Sequence, residues 1–293
     1  MTESGRPRIV VGIDPDPSKR MALTWAADEA DRRHLPLHLV HAQGRPTGGY
    51  RSTEVRPSWE EWNRALHTSG ERTLSDAVAF VEDRHPDVEV SGLLAEGDPA
   101  WVLREQAQGA AAVVLGSRLL SAMEELYTST SIALPVIAHA TCPVVVVRGP
   151  EDATQHPPFF VVGVDGSRHS AAAVDYAFEE ATLRGAALRA LYVWHPHLLG
   201  LTDEQAAQQE CQRLLSETVA GRNAAHPDVE LHHEVVRGHP VQVLTEAAEH
   251  ALGLIVGTRG LGGFTGILLG SVSQGVLHHA QCPVITIPHP GGE

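Results

Sequence analysis

Cationic charge, aromatic side chains and cysteine are all scarce in this sequence. Against 36 acidic residues stand only 22 lysines and arginines, leaving a formal charge of −14. A chain of that sign lacks the net positive face that nonspecific binding to nucleic acid or anionic lipid requires. An anionic small molecule is not excluded, because backbone N–H groups hold phosphate without any lysine. Aromatic residues are 5% of the 293 residues while apolar residues are 43%. Two ordinary cores built from Val, Leu, Ile and Ala are therefore expected. The three cysteines, Cys142, Cys211 and Cys282, are odd in number and widely spaced. That excludes a disulfide framework or a paired zinc motif and points to a reducing interior. Cys142 and Cys282 read as small buried apolar residues beside strands. No stretch approaches the roughly 18 uninterrupted apolar residues of a membrane span. The apolar run that follows MTESGRPR is too short for a signal peptide. These absences lead us to expect a soluble, cytoplasmic protein with neither a membrane nor a nucleic-acid partner.

What the sequence does contain is itself, twice. Ile9-Val10-Val11-Gly12-Ile13-Asp14 matches Phe160-Val161-Val162-Gly163-Val164-Asp165. Trp25-Ala26 matches Tyr176-Ala177, and Arg33 matches Arg184. His85-Pro86-Asp87-Val88-Glu89 recurs identically from His226 to Glu230. Gly97-x-Pro99 matches Gly238-x-Pro240, Gly116-x-Arg118 matches Gly257-x-Arg259, and His139-Ala140-x-Cys142-Pro143 matches the stretch from His279 to Pro283. The spacing between partners shortens by about ten residues after Ala42, which places an insertion in the Gly-, Pro- and Arg-rich segment 44–62 of the first copy. A period this long means duplicated domains rather than a solenoid. We place them at 1–149 and 157–293, joined by the polar, Pro-rich stretch 148–158.

Each copy alternates strand and helix. In the second, 159–164 is a continuous β-branched run of the kind buried on both faces in parallel sheets. Residues 170–184 read as a helix, 187–193 as a strand, 203–223 as a long polar helix and 230–236 as a strand. Pro240 suits a helix start, where its missing N–H costs nothing, and 254–256 and 284–287 are short strands. Five strands alternating with four helices predict an α/β fold with two tandem doubly wound domains, each a five-stranded parallel sheet flanked by helices. The last strands, Val144 to Val147 and Val284 to Ile287, read as sheet edges. Unpaired edges invite partners, so either the two halves pair through them or two chains form a homodimer.

Ligands of such sheets bind beyond the carboxyl ends of the strands, where strand order reverses. Asp165 closes the first strand of the second copy and Gly257 the fourth. From Gly257 to Ser271 runs Gly-Thr-Arg-Gly-Leu-Gly-Gly-Phe-Thr-Gly-Ile-Leu-Leu-Gly-Ser. Glycines there allow positive φ and close backbone approach. Gly270-Ser271 opens a helix whose free N–H groups and positive dipole end can hold phosphate oxygens.

The pattern Gly257-x2-Gly260-x9-Gly270-Ser271, placed after the fourth strand, resembles the ATP-binding signature of the universal stress protein family. The likeness covers both halves, and the whole resembles a tandem universal stress protein of the actinobacterial kind. It implies an adenine nucleotide alpha hydrolase-like, Rossmann-like fold and ATP as ligand, with or without Mg2+. It further implies that Asp165 lies beside the adenosine, that the backbone at Val193 reads the adenine edge, and that Gly257 passes the ribose. Gly260, Gly270, Ser271 and Val272 would contact the phosphates. Arg259 would add a charge that the family pattern does not require.

The first copy departs from that pattern. Gly116 and Arg118 persist, but Leu119 stands in place of Gly260, Ser121 and Ala122 replace Gly262 and Gly263, and Thr130-Ser131 replaces Gly270-Ser271. Glu124 and Glu125 add negative charge that repels phosphate. The first copy is expected to be an adenine-shaped pocket without tight phosphate binding, a weak site at Asp14, Gly116 and Ser131, or an empty structural partner. Histidine clusters at His195/His197, His232-His233 and His278-His279 lack further ligands at defensible spacing, so no metal site is read from them. The Walker pattern is absent and no catalytic constellation can be argued from spacing. The leading expectation is an ATP-binding regulatory module in stress or dormancy adaptation. The alternatives are an adenine-nucleotide enzyme with at most slow ATP hydrolysis, and a nucleotide-free interaction scaffold.

Overall fold

The structure, a computed structural model, describes residues 6–16, 20–43, 59–116, 132–148, 157–194, 204–260 and 269–288. These fall into two compact units. One runs to Gly116 and takes in the described stretch up to Val136; the other begins at Ile137.

The first unit contains β1 (Ile9–Gly12), α1 (Met21–Arg33), β2 (Leu37–Gln43), α2 (Trp59–Arg84), β3 (Val90–Glu96), α3 (Pro99–Gln106) and β4 (Ala112–Gly116). Its strands lie in the order β3-β2-β1-β4, all parallel. β1 and most of β4 are buried, as expected where helices cover both faces of a parallel sheet. Helix α3 starts on Asp98, whose carboxylate accepts from the Trp101 N–H at 2.9 Å, with Pro99 in the first helical turn.

Helix α4 (Ala133–His139) spans the division between the units. The second unit continues with β5 (Val144–Val147), β6 (Phe159–Val164), α5 (Arg168–Arg184), β7 (Ala187–Trp194), α6 (Glu204–Val219), α7 (Arg222–Ala225), β8 (Leu231–Arg237), α8 (Pro240–Ala247), β9 (Gly253–Gly257), α9 (Ser271–His279) and β10 (Val284–Ile287). Strand order is β5-β10-β9-β6-β7-β8. Five strands are parallel, as the alternating pattern predicts, and β5 adds a sixth that runs antiparallel to β10, with Val145 opposite Ile285. The Thr286 hydroxyl also donates to the Val144 carbonyl at 3.1 Å in a buried position. Val144 to Val147 and Val284 to Ile287 pair with one another within the chain. β5, last strand of the first sequence repeat, is thus built into the second unit.

Local chemistry explains the helix ends. Ser167 caps α5 by accepting from the Ser170 N–H at 3.1 Å, and the helix ends at Gly185 in the left-handed conformation (φ 58°). The single helix expected over 203–223 is two: α6 stops at Val219 and Gly221 turns left-handed (φ 70°) before α7. Arg222 then ties that turn down, donating to both carboxylate oxygens of Asp175 at 2.5 and 3.1 Å. Glu29 and Glu180 are wholly buried at matching places in α1 and α5, and each pairs with the arginine one turn on, Arg33 and Arg184.

Helices α8 and α9 meet at a glycine. A Cβ on Gly275 would lie 2.4 Å from Val241 Cγ2. Gly275→Ala is therefore expected to lower stability by about 1–3 kcal/mol despite alanine's better helix propensity. Thermal melting of the double variant with Val241→Ala should recover most of that loss; no recovery would mean that the two residues are not coupled.

Candidate functional site

β6 is flanked by β7 on one side and β9 on the other, so strand order reverses at the carboxyl ends of β6 and β9. Asp165 and Gly257 stand at those two ends, where a doubly wound sheet opens its crevice.

Asp165 is shaped by the turn that follows it. Its Oδ1 accepts from the Ser167 N–H at 2.9 Å, and Gly166 takes φ 81° beneath Leu214 of α6. This conformation is open to glycine and strained for other residues. Opposite it, Gly257 is buried, and a Cβ there would sit 2.8 Å from the backbone carbonyl carbon and Cβ of His169 in the first turn of α5. The Gly257 carbonyl accepts from the buried Ser273 hydroxyl at 2.6 Å. Thr258 N–H donates to Ile287 O at 3.0 Å, and Gly270 N–H donates to Thr258 O at 2.8 Å. The two ends of the glycine-rich segment are thereby clamped together. A Cβ on Gly260 would lie 2.4 Å from Asp165 Oδ2, so the start of that segment lies hard against the carboxylate. Residues 261–268 are outside the described residues.

Gly270 is the N-cap of α9, with φ −66° and ψ 150°, and no side chain caps the helix. Its first-turn amides belong to Ser271, which is exposed, Val272, half-buried, and Ser273. This corrects one reason expected for glycine. Gly257, Gly260 and Gly270 are not among the glycines of positive φ; what Gly257 and Gly260 provide is room, not a left-handed turn. Arg259 is exposed beside them. Val193 is half-buried near the end of β7, paired with Val236 of β8.

Sequence reasoning overlooked several neighbours of the crevice. Tyr192 lies opposite Val164, next to the strand end that carries Asp165, and is 7% exposed. Its hydroxyl meets the Cys211 thiol of α6, and burial, then Cys211 and Asp165, pushes its ionisation upward. Trp194 extends β7 beyond Val193 under the Arg237 guanidinium, 5.8 Å from the ring, and Arg237 grips both carboxylate oxygens of Glu204 at 3.0 and 3.3 Å. Repeat comparison was the signal that could have found them, because the first copy has His41 where Tyr192 stands and Gln43 where Trp194 stands. Burial raises the Cys142 thiol to about 11 and the Cys282 thiol to about 12, and raises Cys211 as well, so none is poised as a thiolate.

The first unit repeats the frame with different contents. Asp14 Oδ1 accepts from the Asp16 N–H at 2.9 Å, the same turn that Asp165 makes. Gly116 is exposed, and among the described residues a Cβ there would meet Ala22 alone, at 3.7 Å. Gly70, at the position of Cys211, leaves a Cβ no space: Gln43 Nε2 would be 2.5 Å away and Leu94 Cδ1 2.7 Å. His41 Nδ1 bonds Ile13 O at 3.0 Å, and Gln43 Nε2 donates to Leu66 O at 2.5 Å. Side chains and α2 thus fill the region of the first unit that Tyr192 and Cys211 occupy in the second. Ser131, with Arg118 and Thr130, lies outside the described residues. Among the described residues no group of three His, Cys, Asp or Glu side chains is placed to hold a metal ion. No helix among them is long and apolar enough to cross a membrane.

Comparison with known proteins agrees with the duplication. A model of the universal stress protein family matches residues 5–148 and again 160–288. A universal stress protein of Mycobacterium tuberculosis strain H37Rv is 33% identical over 296 residues, covering 94% of this chain and 95% of that one. One from Mycolicibacterium smegmatis is 34% identical over 291 residues, covering 95% and 96%. A universal stress protein structure from Archaeoglobus fulgidus superposes with a TM-score of 0.74 over 96% of each chain at 16% identity, a likeness of fold.

Proposed function

The chain belongs to the universal stress protein family, and on that premise we propose that its second domain binds ATP and acts as a nucleotide-responsive regulatory module in adaptation to stress or dormancy. The observation that carries this reading is the clamp at the carboxyl ends of β6 and β9. There Gly257 and Gly260 occupy positions that a Cβ would overfill, at 2.8 and 2.4 Å from their neighbours, and α9 begins with no side-chain cap. A bare helix start with bared backbone around it suits a polyanion, since its amides need acceptors and its dipole favours negative charge.

In this reading Asp165 lies beside the adenosine, the Val193 backbone reads the adenine edge, and Gly257 passes the ribose. Gly260, Gly270, Ser271 and Val272 meet the phosphates, with Arg259 at the solvent side. Mg2+ fits only as a companion of the triphosphate: such an ion keeps several waters and takes its other ligands from phosphate oxygens and one or two protein groups, of which Asp165 and Ser271 are at hand. Domain 1–149 serves as partner to domain 157–293. Lacking the glycines and carrying Glu124 and Glu125 in that segment, it takes ATP weakly or not at all. Nucleotide acts by binding one conformation better than another, the only way a ligand shifts an equilibrium. The three protonated, buried thiols fit a reducing, cytoplasmic setting.

Calorimetric titration with ATP should give one tight site per chain, and mass measurement of the protein purified without boiling should find an adenine nucleotide. Single-turnover mixing should release no rapid burst of phosphate. A chain that takes up no nucleotide under either condition sinks the reading; a fast, saturable burst makes the protein an enzyme instead.

A further inference from the structure

Helix α9 presents its start to the proposed phosphate site, so whatever fixes its other end fixes the site. The C-terminal end has no glycine in a left-handed cap: Ala280 is extended (φ −65°, ψ 143°), and its N–H closes on Val276 O at 2.9 Å. The next two carbonyls, of Leu277 and His278, are the ones a helix end leaves without intrahelical donors. Both are taken by one side chain from far away in sequence. Arg148 donates through Nη1 to His278 O at 2.5 Å and through Nη2 to Leu277 O at 3.0 Å. Arg148 directly follows β5, the strand that belongs to the first sequence repeat and is built into the second unit.

The same segment reaches the helix start by a second route. β5 pairs with β10; Ile287 O at the end of β10 accepts from Thr258 N–H at 3.0 Å; and Thr258 O accepts from Gly270 N–H at 2.8 Å. Segment 144–148 therefore holds α9 at its end directly and at its start through β10 and Thr258.

We propose that Arg148 is the positioning residue of the nucleotide site: by closing the last carbonyls of α9 it sets where the helix's N-terminal amides stand against the phosphates. The proposal rests on the nucleotide reading above. Direct charge attraction does not account for such a role. A helix of this length puts the guanidinium about 13 Å from the helix start, beyond the screening length of about 8 Å at physiological salt. The influence is geometric, passed along a rigid helix, and it needs the planar fork that arginine has and lysine lacks.

The test compares ATP with adenosine, titrated calorimetrically against the full-length chain and its Arg148→Ala and Arg148→Lys variants. Adenosine shares the base and ribose but reaches no phosphate amide. Arg148→Ala should weaken ATP binding roughly five- to tenfold, the scale on which a displaced helix start forfeits part of its charge-assisted bonds. Adenosine binding should change less than about twofold, and lysine should restore only part of the loss, as a point charge without the fork does. Equal weakening of both ligands would mark Arg148 as a general structural residue and overturn the proposal, and so would no change in either. Should the alanine variant fail to fold, the lysine variant carries the same comparison. A wild-type chain that binds neither ligand overturns the reading of the site itself, and this role for Arg148 with it.

Discussion

Gly270→Val is expected to weaken ATP binding by roughly a hundredfold, the scale of losing two charge-assisted hydrogen bonds, while leaving the second domain folded. The backbone permits valine: φ −66° and ψ 150° is an extended conformation that β-branched residues adopt readily. Among the described residues a Cβ at this position would meet Arg259 Cα and Thr258 O at 3.5 Å and Ser273 Oγ at 3.6 Å, all ordinary contacts. The two methyl groups beyond that Cβ add bulk at the start of α9, where in the nucleotide reading phosphate oxygens approach the amides of Ser271 and Val272. Gly270→Ala, which adds the Cβ alone, should cost far less affinity. The matching change in the first copy, Thr130→Val, should do little, because that segment lacks the glycines and carries Glu124 and Glu125. Isothermal titration of the three variants separates the outcomes. Equal losses at 270 and 130 would mean that the two domains bind nucleotide alike.

A second large effect is expected at Gly257, and it is one of stability. A Cβ there would fall 2.8 Å from the His169 carbonyl carbon, 2.8 Å from its Cβ and 2.9 Å from its carbonyl oxygen. Two of those atoms are backbone in the first turn of α5, so they cannot swing aside as a side-chain tip can. Gly257→Ala should destabilise the second domain by about 2–3 kcal/mol, the upper range for overpacking a core. For a domain of this size that corresponds to roughly 5–10 °C in the melting temperature. The counterpart Gly116→Ala should cost less, since among the described residues its Cβ would meet Ala22 alone, at 3.7 Å. Calorimetric melting of both variants gives the answer; similar shifts in the two would mean that the crowding is not particular to Gly257. In the second copy the first turn of α5 presses onto the end of β9, and in the first copy Gly116 is exposed.

Much of this was legible in one dimension. Repeating patterns such as His-Pro-Asp-Val-Glu mark a duplication whatever the fold, and continuous β-branched runs mark strands buried on both faces. The Asp165 turn could be anticipated because aspartate before Gly-Ser closes a strand and opens a capped helix by local bonds alone. Other features were not legible. The turn after α6 was only half legible: Gly221, at φ 70°, is a local helix stop, but the hold of Arg222 on Asp175 of another helix is not local. Tyr192 and Cys211 read as a strand residue and a helix residue; that a hydroxyl meets a thiol beside Asp165 depends on the crossing of β7 and α6.

Short-range chemistry, then, was written into the order of residues: the doubling, the alternation of strand and helix, the glycines and the carboxylate at strand ends. These depend on neighbours a few positions apart, which any reading of the chain can see. Long-range placement was not: β5 lying antiparallel on β10 within the second unit, His169 against Gly257, Asp165 against Gly260, and Arg148 on the far end of α9. Those contacts join residues separated by many tens of positions, and packing alone determines which of the sterically possible partners each one meets.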